Sequence, residues 1–402
     1  METSYEIMNI LNIDEAKKFA NGKKVVIITG VTGQDGSFMV DYLLKNSDCE
    51  IFGGARRLSV ANHENLDHLT KESRFHLINF DLTDEHSISQ TIRTLQPSYF
   101  INFAAQSFVK SSWDFPAQTW DTNSTSIIHI LEAIRIHCST CRFYNAGSSE
   151  EFGNVKYSPQ NEKHPLCPRS PYGASKAAAR HIVKVYRESY GIYAIQGWLF
   201  NHEGTRRGEE FVTRKITKAV NRIKNAIANG SEVTPLELGN LDAKRDWSDA
   251  EDCVDAVWRM LNQEKYNKEI HPAYTYSKYM TNSDDYYKDV IKEYVVSSGE
   301  THSIREFVEL SFKEVGLENL CWDVDGEGIT EVLWYKDGDK VYKLVQINPS
   351  FYRPAEVEYL LGDPTLLKHE LGWKPKTSFK QLVKKMVDKD HVPNGELYRH
   401  CR

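Results

Sequence analysis

The sequence predicts an α/β chain: a doubly wound parallel sheet followed by a smaller mixed α/β C-terminal lobe. Three observations carry that prediction. Short apolar runs suited to strands buried on both faces alternate with stretches of helical periodicity through about residue 200. A glycine cluster follows the first of these runs and opens the first long helix. Past residue 200 the alternation fails and hairpin and capping signals replace it, as in a lobe set over the sheet's carboxyl edge.

Residues 1–22 are polar and mixed in charge; Ile7, Ile10 and Leu11 suggest a helical turn or two, and the segment reads as a peripheral extension. A first domain is expected over 23–200, with some later segments returning to it. Val25-Val26-Ile27-Ile28, closed by Gly30, is its first strand, and Phe38, Met39, Tyr42 and Leu43 then recur at helical spacing. Further strands are expected over 50–55, 75–82, 99–105 and 142–148. Asp84 caps a helix to about Leu95. Residues 119–137 and 172–190 read as long helices, followed by a strand over 194–200. The second lobe is expected mainly within 201–402. There Ser303 and Glu306 form a capping box for a helix to about Val315, and Tyr335 to Lys340 reads as a hairpin turn. A stretch rich in Tyr, Ser, Asp and Lys near 272–292 reads as an exposed insertion.

Composition narrows the function classes. The chain has 402 residues, 40% apolar and 26% charged, enough for one large α/β domain with an appendage or for two ordinary domains. Fifty basic against 56 acidic side chains give a net charge of −6, which lacks the electrostatic footprint of a nucleic-acid binder. No apolar stretch approaches a membrane span, the start has no signal-peptide pattern, and seven scattered cysteines suit a reducing compartment. A cytoplasmic protein without nucleic-acid or membrane partners is expected. Cys138 and Cys141 have C-x-x-C spacing but no second pair or histidine cluster, so they read as a helix end leading into a strand, and no metal is expected.

Gly30-Val31-Thr32-Gly33-Gln34-Asp35-Gly36 has the spacing G-x-x-G-x-x-G between strand and helix. Glycines let the backbone turn tightly and approach a pyrophosphate, whose charge the amides of a helix N-terminus stabilise. The context predicts a Rossmann-type dinucleotide site. After the second strand the chain reads Gly53-Gly54-Ala55-Arg56-Arg57, with no acid until Glu64. A carboxylate there would bind the ribose diol of NAD, whereas the guanidiniums of Arg56 and Arg57 suit an extra phosphate, so NADP is the expected cofactor. Asp81 and Leu82 are placed to meet the adenine; Ala104, Ala105 and Gln106 lie under the cofactor's middle.

Tyr172 and Lys176 stand at i and i+4 on one helix face, behind Ser170 as cap and Pro171 at the first position. An ammonium beside a phenol is expected to lower its pKa towards neutrality, giving a base for hydride transfer. Tyr274 and Lys278 share the spacing without a preceding strand or glycine loop and read as a surface pair. The fifth strand ends Gly147-Ser148-Ser149-Glu150-Glu151. Ser148 can hydrogen-bond the reacting oxygen. Simple alcohol oxidation has no need of a carboxylate two residues further on. Glu150 can abstract a carbon-bound proton beside a new ketone and then protonate a leaving hydroxyl, which separates dehydration from plain dehydrogenation.

Together these residues closely resemble the GDP-mannose 4,6-dehydratases, a family of extended short-chain dehydrogenase/reductases. The likeness runs from about Lys23 to Met386, broken around 272–292. Its marks include T-G-V-T-G-Q-D-G-S (29–37), N-F-A-A-Q-S (102–107), R-F-Y-N-A-G-S-S-E (142–150) and P-R-S-P-Y-G-A-S-K (168–176). Others are L-F-N-H-E-G-T-R-R-G-E-E-F-V-T-R-K-I (199–216), R-P-A-E-V-E-Y-L-L-G-D-P (353–364) and L-G-W-K-P (371–375). The resemblance implies Tyr172 as base at C4, Lys176 as its partner, Glu150 as base at C5 and Ser148 in place of the usual threonine. It places His202 and Arg207 at the cofactor, with Ser107, Asn201, Arg245, Arg353 and Glu356 around the GDP-linked sugar. The implied cycle oxidises C4 with NADP, eliminates water across C5 and C6, and returns the hydride to C6, leaving a 4-keto-6-deoxy sugar.

The alternatives are GDP-manno-heptose as substrate, or an epimerase or reductase on the same fold; a structural histidine is the alternative for His202. Gly147 and Glu151 stand where the family usually has a small polar and an apolar residue, and Gln118 replaces a tyrosine. The Glu151 change is the one that points to a modified substrate. As in the family, the helices at 119–137 and 172–190 are suited to pair with their copies in a homodimer, and the Arg56-Arg57 loop to join subunits into a homotetramer.

Overall fold

Strand β2 (Val25–Thr29) buries every side chain, and successive residues feed opposite faces: Val25 and Ile27 join one apolar cluster, Val26 and Ile28 the other. This is what a strand covered by helices on both sides requires. The structure, a computed structural model, describes residues 9–57, 63–263, 291–324, 331–351 and 359–391. Around β2 lie β1 (Ile10–Leu11), β3 (Glu50–Ala55), β4 (Phe75–Asn79), β5 (Tyr99–Asn102), β6 (Arg142–Ala146), β7 (Ala194–Leu199) and β12 (Val295–Val296). They form an eight-stranded sheet in the order β1-β4-β3-β2-β5-β6-β7-β12, and every pairing is parallel. The doubly wound sheet is therefore present as read.

Helices α1 (Ile13–Ala20), α2 (Gln34–Asn46), α3 (Glu85–Leu95), α4 (Ser111–Asp114), α5 (Pro116–Trp120), α6 (Ser126–His137), α7 (Pro171–Tyr190) and α9 (Ala250–Leu261) accompany the sheet. Asp84 caps α3, and Ser170 caps α7 by accepting from the Gly173 amide at 3.0 Å. Three expectations are corrected. Ile10 and Leu11 are not helical: they pair with Leu77 and Ile78 as an edge strand, and α1 follows, started by a capping box of Asn12 and Glu15. The stretch 119–137 is not one helix, because a π turn over Asp121–Thr125 interrupts it. Strands β4, β5 and β6 end earlier than read, since Asp81, Phe103 and Gly147 begin the turns that build the carboxyl edge. Cys138 closes α6, and both Cys138 and Cys141 are buried.

The second lobe is built on α8 (Val212–Ala228), α10 (Ile304–Glu314) and α12 (Phe379–Lys389), packed through Ile216, Phe307 and Val383 against a four-stranded sheet. That sheet has the order β14 (Leu320–Val324), β15 (Glu331–Asp337), β16 (Lys340–Ile347), β9 (Leu236–Leu238). Gly338, at φ 58°, turns the β15–β16 hairpin as the sequence indicated, and Ser303 with Glu306 caps α10. Two small sheets tie the lobes: β8 (Asn201–Glu203) beside β11 (Trp247–Asp249), and β10 (Lys244–Arg245) between β13 (His302–Ser303) and β17 (Tyr359–Leu360). The helix α11 (Thr365–Leu371) follows β17. Most of the expected insertion, with Tyr274 and Lys278, lies outside the described residues. Among the described residues no helix is long and apolar enough to cross a membrane.

Candidate functional site

The carboxyl edge of the sheet is organised by a row of polar side chains set into an otherwise apolar layer. Thr29, Asn102, Asn145 and Gln196 are aligned across β2, β5, β6 and β7 and are at most 1% exposed. Thr29 donates to Asn102; Asn102 donates to Asn145 at 2.8 Å, and Asn145 to Gln196 at 2.7 Å. Their mutual hydrogen bonds satisfy groups that would be costly to bury alone. The loops carrying the candidate residues leave from this layer.

On the first side, Gly30 takes φ 68°, and the Gly33 amide closes the turn on the Gly30 carbonyl at 3.0 Å. A Cβ at Gly36 would lie 2.4 Å from the Gly30 oxygen, and one at Gly30 would lie 2.7 Å from the Ala104 amide. The turn therefore exists only without side chains, and it leaves the N-terminus of α2 with no side-chain cap at Gly33. Thr32 accepts from Asn65 at 2.9 Å, and the buried Gln34 Oε1 has no partner. An uncapped helix start, a cradle that rejects Cβ atoms and an orphaned amide oxygen together fit a dinucleotide. Arg56 and Arg57 follow β3 and are exposed. Asp81 accepts from the Thr83 amide and hydroxyl at 2.9 and 2.8 Å, and Leu82 beside it is buried. Ala104 and Ala105 lead to Gln106, beyond which Ser107 is exposed.

His202 reaches this turn from β8. Its Nδ1 lies 2.7 Å from the Phe200 carbonyl and its Nε2 lies 2.8 Å from the Asp35 carboxylate. A backbone carbonyl and a carboxylate are both acceptors, an arrangement that favours the imidazolium form of the ring. Burial alone would raise the Asp35 pKa, but His202, with Arg207, outweighs it and holds the carboxyl below its ordinary range. Burial opposes the imidazolium, yet Asp35 raises its pKa. Arg207 pairs with Glu203 at 2.9 Å and lies over the Phe211 ring.

On the second side, Ser148 caps a short 3-10 turn over Ser149–Glu151 and accepts from the Glu150 amide at 3.2 Å. Its side chain faces Tyr172 and favours the ionised form of the phenol. Lys176 donates to the Ala146 carbonyl at 2.8 Å and stands 5.9 Å from the centre of the Tyr172 ring. The expected lowering of the phenol pKa is not found. Burial pushes Tyr172 up to about 12, Glu150 and Glu151 add to that, and Ser148 and Arg207 oppose it. Burial also brings Lys176 down to about 8, against Glu151 and Asp35. The ammonium is engaged by a carbonyl, so the Tyr-Lys spacing by itself does not produce a neutral-pH base.

Asn201 sits on β8 next to His202, and Arg245, on β10 in the lobe-tying sheet, donates to the Lys244 carbonyl at 2.8 Å. Arg353 and Glu356 lie outside the described residues. Asn123 was missed by the sequence reading. The π turn directs it at Gln106, with which it exchanges two backbone hydrogen bonds of 2.9 and 3.0 Å, and at Ser175 of α7 at 3.2 Å. The polar run Asp121-Thr122-Asn123-Ser124-Thr125 inside an amphipathic stretch was the available signal. Glu151 is fully buried, and its carboxylate accepts from Arg180 and from the Ser148 amide.

Comparison with known proteins bears on this geometry at two levels. Solved structures below 25% identity share the fold: UDP-glucose 4-epimerase of Thermus thermophilus in complex with NAD (TM-score 0.68, 23% identical, 92% of this chain and 99% of that one) and RMD of Pseudomonas aeruginosa with NADPH (TM-score 0.65, 21% identical, 92% and 99%). Sequence relatives go further. GDP-mannose 4,6 dehydratase of Drosophila melanogaster is 41% identical over 379 residues, covering 91% of this chain and 86% of its own length. The Vibrio cholerae GDP-mannose 4,6-dehydratase is 40% identical over 383 residues, covering 92% and 94%. Residues 27–282 and 274–386 match the GDP-mannose 4,6 dehydratase family, a span that takes in the glycine turn, the Ser148–Glu150 turn, α7 and the second lobe. With both halves of the edge inside that match, the chain belongs to the GDP-mannose 4,6-dehydratase family.

Proposed function

We propose that the chain is an NADP-dependent hydro-lyase that converts GDP-mannose to GDP-4-keto-6-deoxymannose. The observation that carries the reading is Glu150 in the same turn as Ser148, with both residues facing Tyr172. A bound dinucleotide supplies a hydride acceptor and, later, the hydride that is returned. Tyr172 would accept the C4 hydroxyl proton as the phenolate, a form that burial opposes in the empty site and that Lys176 and a bound oxidised nicotinamide, both cationic, would favour. The C4 ketone then acidifies C5, and Glu150 removes that proton and delivers one to the departing C6 hydroxyl, which leaves as water; once hydride has returned to C6, C5 takes up one proton, which balances the one Tyr172 accepted. Lys176, buried and bound to the Ala146 carbonyl, supplies positive charge near the phenol. The preference for NADP is supported by Arg56 and Arg57 at the end of β3, where no acid stands.

Assembly as a homodimer or homotetramer is supported by large apolar side chains left exposed on the sheet's outer helices: Trp120 at 46%, Ile136 at 60% and Tyr190 at 46%. The test of the function offers GDP-mannose and GDP-manno-heptose separately and weighs the products. Loss of one water from GDP-mannose with the C4 hydrogen recovered at C6 is expected; a product of unchanged mass identifies an epimerase instead.

A further inference from the structure

Gly147 and Glu151, the two departures beside the proposed acid, form one interlocked unit with Arg180. Glu151 accepts from the Ser148 amide at 2.8 Å, from Arg180 Nε at 2.5 Å and from Gln196 at 3.0 Å. Arg180 stands one turn beyond Lys176 on α7, and its plane covers the Trp198 ring at 3.4 Å. Its Nη1 donates to the Gln196 carbonyl at 2.6 Å and to Glu293 at 2.8 Å. Glu293 in turn holds Arg187 at 2.9 Å. A Cβ at Gly147 would lie 2.7 Å from Glu151, 2.9 Å from Arg180 and 2.3 Å from the Gly197 oxygen, so only glycine leaves room for the pair. Two acids and two guanidiniums are thus buried in balance directly behind the reacting groups.

We propose that Glu151 is a positioning residue for the dehydration, fixing the turn that carries Ser148 and Glu150 against the helix that carries Tyr172 and Lys176 by way of Arg180. This rests on the function proposed above. A buried pair of this kind adds little net stability over apolar packing, whereas removing one partner strands a charge. Its worth therefore lies in geometry and in the field at Tyr172. The charged and polar groups facing Tyr172 and Lys176 are Ser148, Glu150, Glu151, Arg207 and Asp35, and Glu151 raises the pKa of both. Without its charge both groups release their protons at lower pH.

The experiment compares wild type, Glu151→Gln and the double variant Glu151→Leu/Arg180→Leu, which removes one charge of each sign. For Glu151→Gln we expect kcat to fall ~10- to 100-fold with little change in KM, and the acid limb of the kcat profile to move to lower pH. The double variant is expected to melt near wild type yet recover neither kcat nor the pH limb. Wild-type kcat and an unmoved limb in Glu151→Gln, or full activity in the double variant, overturns the proposal. A substrate-independent readout separates this from the function itself: the ultraviolet phenolate titration of Tyr172, taken as each protein minus its Tyr172→Phe form. It is expected to shift down in Glu151→Gln whether or not GDP-mannose is the substrate, and an unshifted titration also overturns the proposal.

Discussion

The two sides of the carboxyl edge are made in opposite ways. The glycine turn is specified by what it lacks: at Gly30 and Gly36 a single carbon would collide with backbone 2.7 and 2.4 Å away. The turn carrying Ser148 and Glu150 is specified by what lies behind it, a buried set of charges reaching to Glu293. One side tolerates no added atom, and the other tolerates no lost partner. The first arrangement suits a ligand that must be approached by backbone, the second suits side chains that must be aimed.

Substitutions test this contrast, from the largest effect to the smallest. Tyr172→Phe should cut turnover by ~10²- to 10⁴-fold, the range for a positioned acid or base, with NADP content of the purified protein unchanged. Glu150→Gln should abolish water loss while leaving cofactor binding intact; undiminished dehydration would remove the acid from the scheme. Gly36→Ala strikes the other side, and by forcing the turn apart should cost ~1–3 kcal/mol and empty the protein of dinucleotide, read by denaturant melts and extracted NADP. If Gly36→Ala retained its cofactor, the contrast would fail. Asp35→Asn removes the carboxylate that raises the His202 pKa. A raised histidine stabilises below its ordinary value of 6.5 and loses that contribution as pH rises through the folded value; a lowered aspartate stabilises above 3.8 and loses it on acidification. The Tm gap to wild type should therefore be widest between those values and narrow on either side. Asn123→Ala, which frees the Gln106 backbone groups, should cost ~1–3 kcal/mol, seen as a modest fall in Tm.

Much of this was legible from local signals. The buried run of β2, the capping by Asp84, Ser170 and Ser303, and the hairpin at Gly338 depend on neighbours a few residues away, and all were read correctly. The π turn at Asp121–Thr125 was not, because the i→i+5 bonding that defines it is a backbone feature that residue spacing does not announce. The glycine spacing pointed to the turn found before α2, and the Tyr-Lys spacing to two neighbours buried on α7. The pKa of Tyr172, however, depends on burial and on where Lys176 finds a carbonyl, neither of which spacing reveals. Arg180 went unnoticed since its acids come from a turn 29 residues earlier and a segment 113 residues later.

Strand β1 lies at the outer margin of the sheet, where it occupies the hydrogen-bonding side of β4, and α1 lays Phe19 over His76 with ring centres 4.1 Å apart. An open margin of this kind is a template on which another polypeptide can add a strand. With β1 in place the open margin is a two-residue strand instead of the five residues of β4, which leaves less backbone for such an addition. A chain trimmed to begin after Leu11 is expected to keep its catalytic edge and to aggregate.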